Sequence, residues 1–210
     1  MITSTPVVGV AGASYATSTD GVRWTKPMLG QWEWQGSRKN NFVALDRKMP
    51  WPHNAIENAV YDPHERDPAQ RYKGFLGAYG RRPMASPDGV HWKLLDVPKL
   101  PSQDESNLSY DRESRTFIAT LKTGGPHGRS HAIWTSRDFQ SWTNLKVVFH
   151  ADDEDQRLAD STLHPVNVNP AACNADIYNI GTFRYQKRSP SIKGLRNRRV
   201  KPTNDFPCDP

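Results

Sequence analysis

The sequence predicts an all-β protein made of repeated four-stranded units, the pattern of a β-propeller. Two repeats and the composition carry that prediction. Three stretches, Ser18-Thr-Asp-Gly-Val-Arg-Trp24, Ser86-Pro-Asp-Gly-Val-His-Trp92 and Ser136-Arg-Asp-Phe-Gln-Ser-Trp142, share the form Ser-x-Asp-Gly/Phe-x-x-Trp. A second marker, Glu57-Asn-Ala-Val-Tyr-Asp62, matches Ser106-Asn-Leu-Ser-Tyr-Asp111 with Asn, Tyr and Asp in register. Asn58 and Asn107 are 49 residues apart and Asp88 and Asp138 are 50 apart, so two independent markers share nearly one period. A unit of this length with room for four strands is the signature of a propeller blade. Seven Trp and seven Tyr, with 14 Gly and 17 Pro, also suit a turn-rich β protein better than a helical one.

The elements follow in chain order. Residues 7–26 read as the last strands of a blade, entering and leaving the first Asp turn. Asp-Gly between apolar runs makes a tight hairpin turn, because Gly takes positive φ freely and Asp bonds its own downstream backbone. The third copy has Phe139 in place of Gly, so its turn is expected to differ. Residues 27–53 are irregular, punctuated by Pro27, Gly30, Gly36, Asn40, Asn41, Pro50 and Pro52. The first full unit covers 54–96, with strands expected at 56–61, 71–80, 83–86 and 90–95. The second covers 104–148, with strands at 107–110, 116–122, 130–135 and 142–149. A partial unit follows, with candidate strands at 162–167 and 175–183; residues 152–159 have room for a turn or two of helix. The expected architecture is about two complete blades flanked by two partial ones. A propeller closes by pairing its first and last blades, so the chain reads as a fragment of a larger one. The partial propeller is assigned to residues 1–185.

The chain has 210 residues, 36% of them hydrophobic, and a net charge of +6. Mean hydropathy is −0.77, lean but globular. Residues 186–210 hold seven basic and two acidic side chains and so supply +5 of that +6. The basic isoelectric point therefore belongs to a tail, expected to be disordered, and not to a binding face; nucleic acid is not the expected partner. Two cysteines, Cys173 and Cys208, make neither a disulfide framework nor a metal cluster. No apolar run approaches the roughly 20 residues that span a bilayer. The apolar stretch Val7-Val8-Gly9-Val10-Ala11 lacks the positive flank of a signal peptide. No metal, cofactor or membrane partner is expected, and oligomeric state is not set.

Four segments carry a family resemblance: Tyr15-Ala-Thr-Ser-Thr-Asp-Gly-Val-Arg-Trp-Thr-Lys-Pro27, Gly36-Ser-Arg-Lys-Asn-Asn-Phe-Val43, Asp67-Pro-Ala-Gln-Arg-Tyr-Lys73 and Ser86-Pro-Asp-Gly-Val-His-Trp-Lys93. Over about residues 13–185 the chain resembles bacterial proteins similar to the five-bladed propeller glycoside hydrolases of families 32 and 43. The resemblance implies a five-bladed fold, a carbohydrate partner, and hydrolysis by acidic residues projecting from different blades into a central funnel. It also implies that the family's first blade, with one of its carboxylates, is missing upstream of residue 1 and its last blade is missing downstream, so that activity is in question.

In such a propeller the first residues of each innermost strand face the funnel. Asp104 is the leading candidate carboxylate, because Asp-x-x-Asn before a Tyr-Asp pair is similar to the family's inner-strand pattern. Glu105 and Glu57 are the other acidic candidates. Alternation along a strand keeps Asp104 and Glu105 from facing one ligand together. His53, Asn54 and Asn107, and His164 and Asn167 in the partial unit, are candidate sugar-binding residues. Arg129 has the chemistry to reach a carboxylate-bearing sugar. Each has a plainer reading as a solvated loop or hairpin residue. Arg66-Asp67-Pro68 is read as a structural turn. Asp20, Asp88 and Asp138 are read as outer-hairpin turns, and Trp24, Trp92 and Trp142 as packing residues. Two functions follow: a glycoside hydrolase-like protein cleaving a poly- or oligosaccharide, or a non-catalytic carbohydrate-binding or scaffold propeller.

Overall fold

The computed structural model describes residues 2–4, 13–45, 56–77, 79–104, 106–163 and 174–182. These residues form an antiparallel, all-β arrangement with one α-helix. β1 (Ile2–Ser4), β2 (Ala13–Tyr15) and β3 (Phe42–Val43) make a three-stranded sheet. β4 (Ile56–Tyr61), β5 (Tyr72–Leu76), β6 (Arg82–Ser86) and β7 (Lys93–Leu94) make a four-stranded sheet in chain order. β8 (Ser106–Asp111), β9 (Thr116–Gly124), β10 (Arg129–Ser136) and β11 (Thr143–Phe149) make a second four-stranded meander. The repeat read from the sequence is therefore a repeat of whole sheets.

Side-chain alternation joins the sheets face to face. Leu76 and Met84 face the first sheet and pack with Ala13, Val43, Leu45 and Ile56. Phe75, the neighbour of Leu76, points the other way and packs with Leu108, Phe117, Ala119, Leu121 and Phe139 of the last sheet. The middle sheet is thus apolar on both faces. Each such side chain taken from water contributes roughly 1.5–3 kcal/mol, which makes these two clusters the main source of cohesion.

The marker residues have defined structural roles. Asp62 and Asp111 end the first strand of each four-stranded sheet by accepting from His64 N (2.9 Å) and Glu113 N (3.1 Å). Asn58 donates across the sheet boundary to the Ser106 carbonyl (2.6 Å). The Ser-x-Asp turns share one hydrogen-bond set. Ser86 Oγ accepts from Gly89 N (2.9 Å), and Asp88 Oδ1 accepts from Val90 N and His91 N (both 2.8 Å). Ser136 and Asp138 repeat this with Phe139, Gln140 and Ser141, and Ser18 and Asp20 with Gly21, Val22 and Arg23.

Several expectations are corrected. The third turn does not differ in backbone: Phe139 adopts φ 61°, beside 74° at Gly21 and 78° at Gly89. The second strand of the first unit stops at Leu76 because Gly77 turns to φ 98°. Residues 162 and 163 are helical and not extended, since α1 runs Asp153–Leu163. Asp152 starts it with a reciprocal cap, Oδ1 accepting from Asp155 N (2.9 Å) while its own N–H donates to Asp155 Oδ2 (3.2 Å). Asp153, Glu154 and Asp155 then favour the positive end of the helix. Residues 174–182 form no strand. Trp92 and Trp142 pack against the two cores as expected, whereas Trp24 is exposed. Both cysteines and residues 186–210 lie outside the described residues.

Candidate functional site

The antiparallel meanders give the last sheet two unlike ends. β8 starts, β9 finishes and β10 starts at one end; the Asp138 turn joins β10 to β11 at the other. β10 is eight residues long, so at about 3.4 Å per residue the two ends stand roughly 24 Å apart. The Asp turn therefore contributes nothing to chemistry at the start of β8, where Asp104 sits.

Asp104 occupies a left-handed conformation, φ 61°, which Asp tolerates better than most residues. Two cations hold it there. The buried Arg81 donates through Nη2 to the Asp104 carbonyl, and through Nη1 to the Gly77 carbonyl. Lys122 Nζ donates to Asp104 Oδ2 at 2.9 Å. The Lys122 side chain is fully buried, while 39% of the Asp104 side chain reaches solvent. The carboxylate thus has one oxygen on a buried ammonium and is partly exposed to solvent. An adjacent ammonium favours the anionic carboxylate.

Lys122 is buried because the alternation of β9 sends Phe117, Ala119 and Leu121 into the core and Thr120 and Lys122 to the opposite face. Residues 174–182 cross that face. Tyr178 lies with its ring centroid 4.0 Å from Lys122 Nζ and 4.7 Å from Arg129 Cζ, within cation–π range. Asp176 takes Arg129 as a fork: Nε donates to Oδ2 (2.7 Å) and the Arg129 backbone N–H to Oδ1 (2.6 Å). Partial burial works against the Arg129 charge, but the Asp176 hydrogen bond and charge outweigh it and hold the guanidinium above its usual value. His131, buried beside Lys122 in the neighbouring strand, donates from Nε2 to the Ile177 carbonyl (3.0 Å), an oxygen that can only accept. Asn107 accepts from Thr182 N (3.3 Å), and Thr182 meets the Thr120 hydroxyl. Asn58 and Asn107 thus act alike, each binding main chain of the segment that packs next.

Of the residues singled out from sequence, Asp104, Asn107 and Arg129 come together at this end. Asn107 is occupied by Thr182, and Arg129 by Asp176. Glu57 lies in β4, but its side chain is outside the described residues, as are Glu105, His53, Asn54, His164 and Asn167. Lys122, His131, Asp176 and Tyr178 were not singled out. For Lys122 a signal existed, a lysine continuing the polar phase of a strand whose other phase is apolar. For Asp176 and Tyr178 none existed, since they reach the site through an irregular segment. Arg66-Asp67-Pro68 is a turn: Asp67 Oδ1 accepts from Ala69 N (2.9 Å) and caps the 3-10 turn Pro68–Gln70. Among the described residues no group of three or more His, Cys, Asp or Glu is placed to hold a metal, and no helix is long and apolar enough to cross a membrane.

No family model, curated protein or solved structure matches the chain.

Proposed function

We propose that the chain is part of a β-propeller of the glycoside hydrolase type, its consecutive sheets being blades, and that the Asp104 end takes a poly- or oligosaccharide. One observation supports this above others: a half-exposed carboxylate at the head of the innermost strand, fixed by Arg81 and Lys122, with the Tyr178 ring beside it. Sugar sites pair acceptors for hydroxyl groups with an aromatic face, and Asp104 and Tyr178 supply both. Asp104, ion-paired with Lys122, has the chemistry of a base, nucleophile or charge stabiliser. Hydrolysis also requires a proton-donating carboxyl, about 5–5.5 Å away for retention or 6.5–9.5 Å for inversion; Glu105 and Glu57 are the candidates.

A second reading is favoured by a specific feature. Both described carboxylates at this end are ion-paired, Asp104 with Lys122 and Asp176 with Arg129, and neither is set up to donate a proton. That arrangement suits binding without turnover. The test is a panel of aryl glycosides and unlabelled oligosaccharides against wild type and Asp104→Asn. Turnover in wild type that drops at least a hundredfold in the variant supports hydrolysis. Saccharide binding without turnover, weakened by the variant, supports the second reading. Absence of both overturns the carbohydrate assignment.

A further inference from the structure

Along the connection that ends at Gln103 the two four-stranded sheets part to leave a cleft of about 410 Å³. This lies within the roughly 300–1,000 Å³ range of small-molecule sites. Its floor is the connection between the sheets, and backbone hydrogen bonds pin that floor to both walls. Gly80 N donates to Ser102 O (2.9 Å), Arg81 and Leu100 exchange bonds of 2.8 Å, and Gln103 N donates to Lys122 O (3.0 Å). One wall is Tyr79 and Gly80; the other is Trp134 and Asn144. The cleft is thus built by the fold; Leu121, Ala132 and Trp134 put it on the face of the last sheet opposite Lys122 and the Asp104 carboxylate, with Gln103 as the link between the two.

Its chemistry is one-sided. Among the described residues the lining carries no Asp or Glu. Lys122 belongs to the lining, but its ammonium is committed to Asp104. The other cation of the lining is Lys99, whose stem lies against Gly80: a Cβ there would stand 3.2 Å from Lys99 Cδ. Gly80, at φ 83°, admits that close approach and so holds the Lys99 stem along the edge of the cleft. Trp134 is half-buried and Tyr79 is 59% exposed, so two aromatic groups border the space. The Asn144 amide is fixed by Lys146 N donating to its Oδ1 (2.7 Å). An ammonium, two amides and two aromatic rings with no carboxylate in the lining match a sugar ring that carries a negative charge.

We propose that the cleft between Tyr79 and Trp134 is a binding subsite for an acidic saccharide, with Lys99 reading its carboxylate and Gln103 and Asn144 its hydroxyl groups. This rests on the reading of the neighbouring Asp104 end as a carbohydrate site. The probe is trigalacturonate, titrated calorimetrically into the full chain beside the neutral cellotriose. Trigalacturonate is expected to bind about tenfold more tightly or better. Lys99→Gln should remove that advantage at unchanged thermal unfolding, Lys99→Arg should retain it, and Asn144→Ala should weaken both saccharides. Equal affinity for the two saccharides, an unaffected Lys99→Gln variant, or no binding of either overturns the subsite. Trigalacturonate binding lost in Asp104→Asn but intact in Lys99→Gln sinks the cleft and leaves the Asp104 assignment standing. Binding that needs Lys99 while Asp104→Asn is silent and no glycoside is cleaved retains the cleft and removes the Asp104 assignment.

Discussion

The turns that close the two four-stranded sheets share a backbone and differ most at their fourth position, Gly89 in one and Phe139 in the other. At Gly89 and at Phe139 the chain takes the same left-handed step, and the same Ser and Asp oxygens gather the same amides. Over Gly89 the Tyr72 ring stands 3.5 Å from where a Cβ would lie. At the other turn that volume belongs to Phe139 itself, wholly buried, stacked on Phe75 at 5.4 Å and edge-on to Phe117 at 4.9 Å. The turn is therefore made by Ser and Asp. Its fourth position accepts whatever the adjoining sheet surface leaves room for, and at Phe139 burial outweighs the roughly 1 kcal/mol that a side chain costs in this conformation.

The sharpest way to break this comparison is to separate packing from conformation at Phe139. Phe139→Ala should cost about 3–5 kcal/mol, the range for emptying a buried phenyl site. Phe139→Gly should cost about 1 kcal/mol less, because glycine is unstrained at φ 61°. Urea unfolding midpoints at constant m-value would measure both. An Ala variant as stable as the Gly variant would show that the turn relaxes when the ring is lost, and that the two turns are not equivalent.

Phe139 also shows where sequence reading stops. The Ser, Asp and Trp positions identify the turn, and the 49-residue spacing identifies the sheet repeat, because both reflect local hydrogen bonding. That a Phe occupies a glycine's conformation depends on Phe75 and Phe117, which lie far away in sequence. Lys73 and Lys122 teach the same lesson. They too are 49 apart, yet they are not structural counterparts. Tyr61 faces Tyr72 in one sheet and Tyr110 faces Phe117 in the other, so the first connection is four residues longer and Lys73 corresponds to Ile118. Lys73 pairs with Glu65 between the sheets (2.8 Å), whereas Lys122 supports Asp104. The Asp152 and Asp155 cap is visible in the sequence as a helix start, and it outweighs the strand expected just beyond it. Of the candidate site, the repeat locates the head of β8 and the family resemblance singles out Asp104 there, since its counterpart in the first unit is Ala55; its Lys122 and Tyr178 neighbours depend on strand facing and on an irregular segment.

If Ser and Asp make both turns, removing either serine should have the same effect. Ser86 and Ser136 are both buried, and each hydroxyl accepts two amides while donating to its Asp. Ser86→Ala and Ser136→Ala should each cost about 1–3 kcal/mol, the range for leaving buried polar groups unpaired, and agree within about 0.5 kcal/mol. A twofold difference between them would mean that Phe139 has taken over part of the serine's role.

The glycine turns allow a smaller test. A Cβ added at Gly21 would have nothing within 4 Å, whereas one at Gly89 would meet Tyr72 and Tyr15 at ordinary contact distances. Gly21→Ala should therefore report conformation alone, a loss of about 1 kcal/mol. Gly89→Ala should lose no more than that, because its methyl gains contact with the two rings. Greater loss at Gly89 would show that the ring-lined space is full, and that only the last sheet has room for a side chain there.

The weakest expected effect is the pH dependence of the turns. Burial works against the charge of Asp88, but the His91 side chain and the His91 and Val90 amides outweigh it and hold its carboxyl far below the usual range. The Ser141 and Gln140 amides likewise outweigh burial at Asp138. A carboxyl whose folded value is depressed contributes stability above its unfolded value, near 3.8, and loses it as pH falls through the folded value. Urea midpoints should therefore be flat in this respect above about pH 5 and decline below about pH 4. Because both Asp side chains face solvent, each contribution is about 1 kcal/mol or less. Asp138→Asn should flatten the decline less than Asp88→Asn, since the His91 side-chain bond at 2.7 Å is the strongest support of the Asp88 charge, whereas the Ser141 hydroxyl is the weakest support of Asp138. Equal flattening would show that the imidazole adds no more than the Ser141 hydroxyl does, and that the shared amides dominate the charge of both turns.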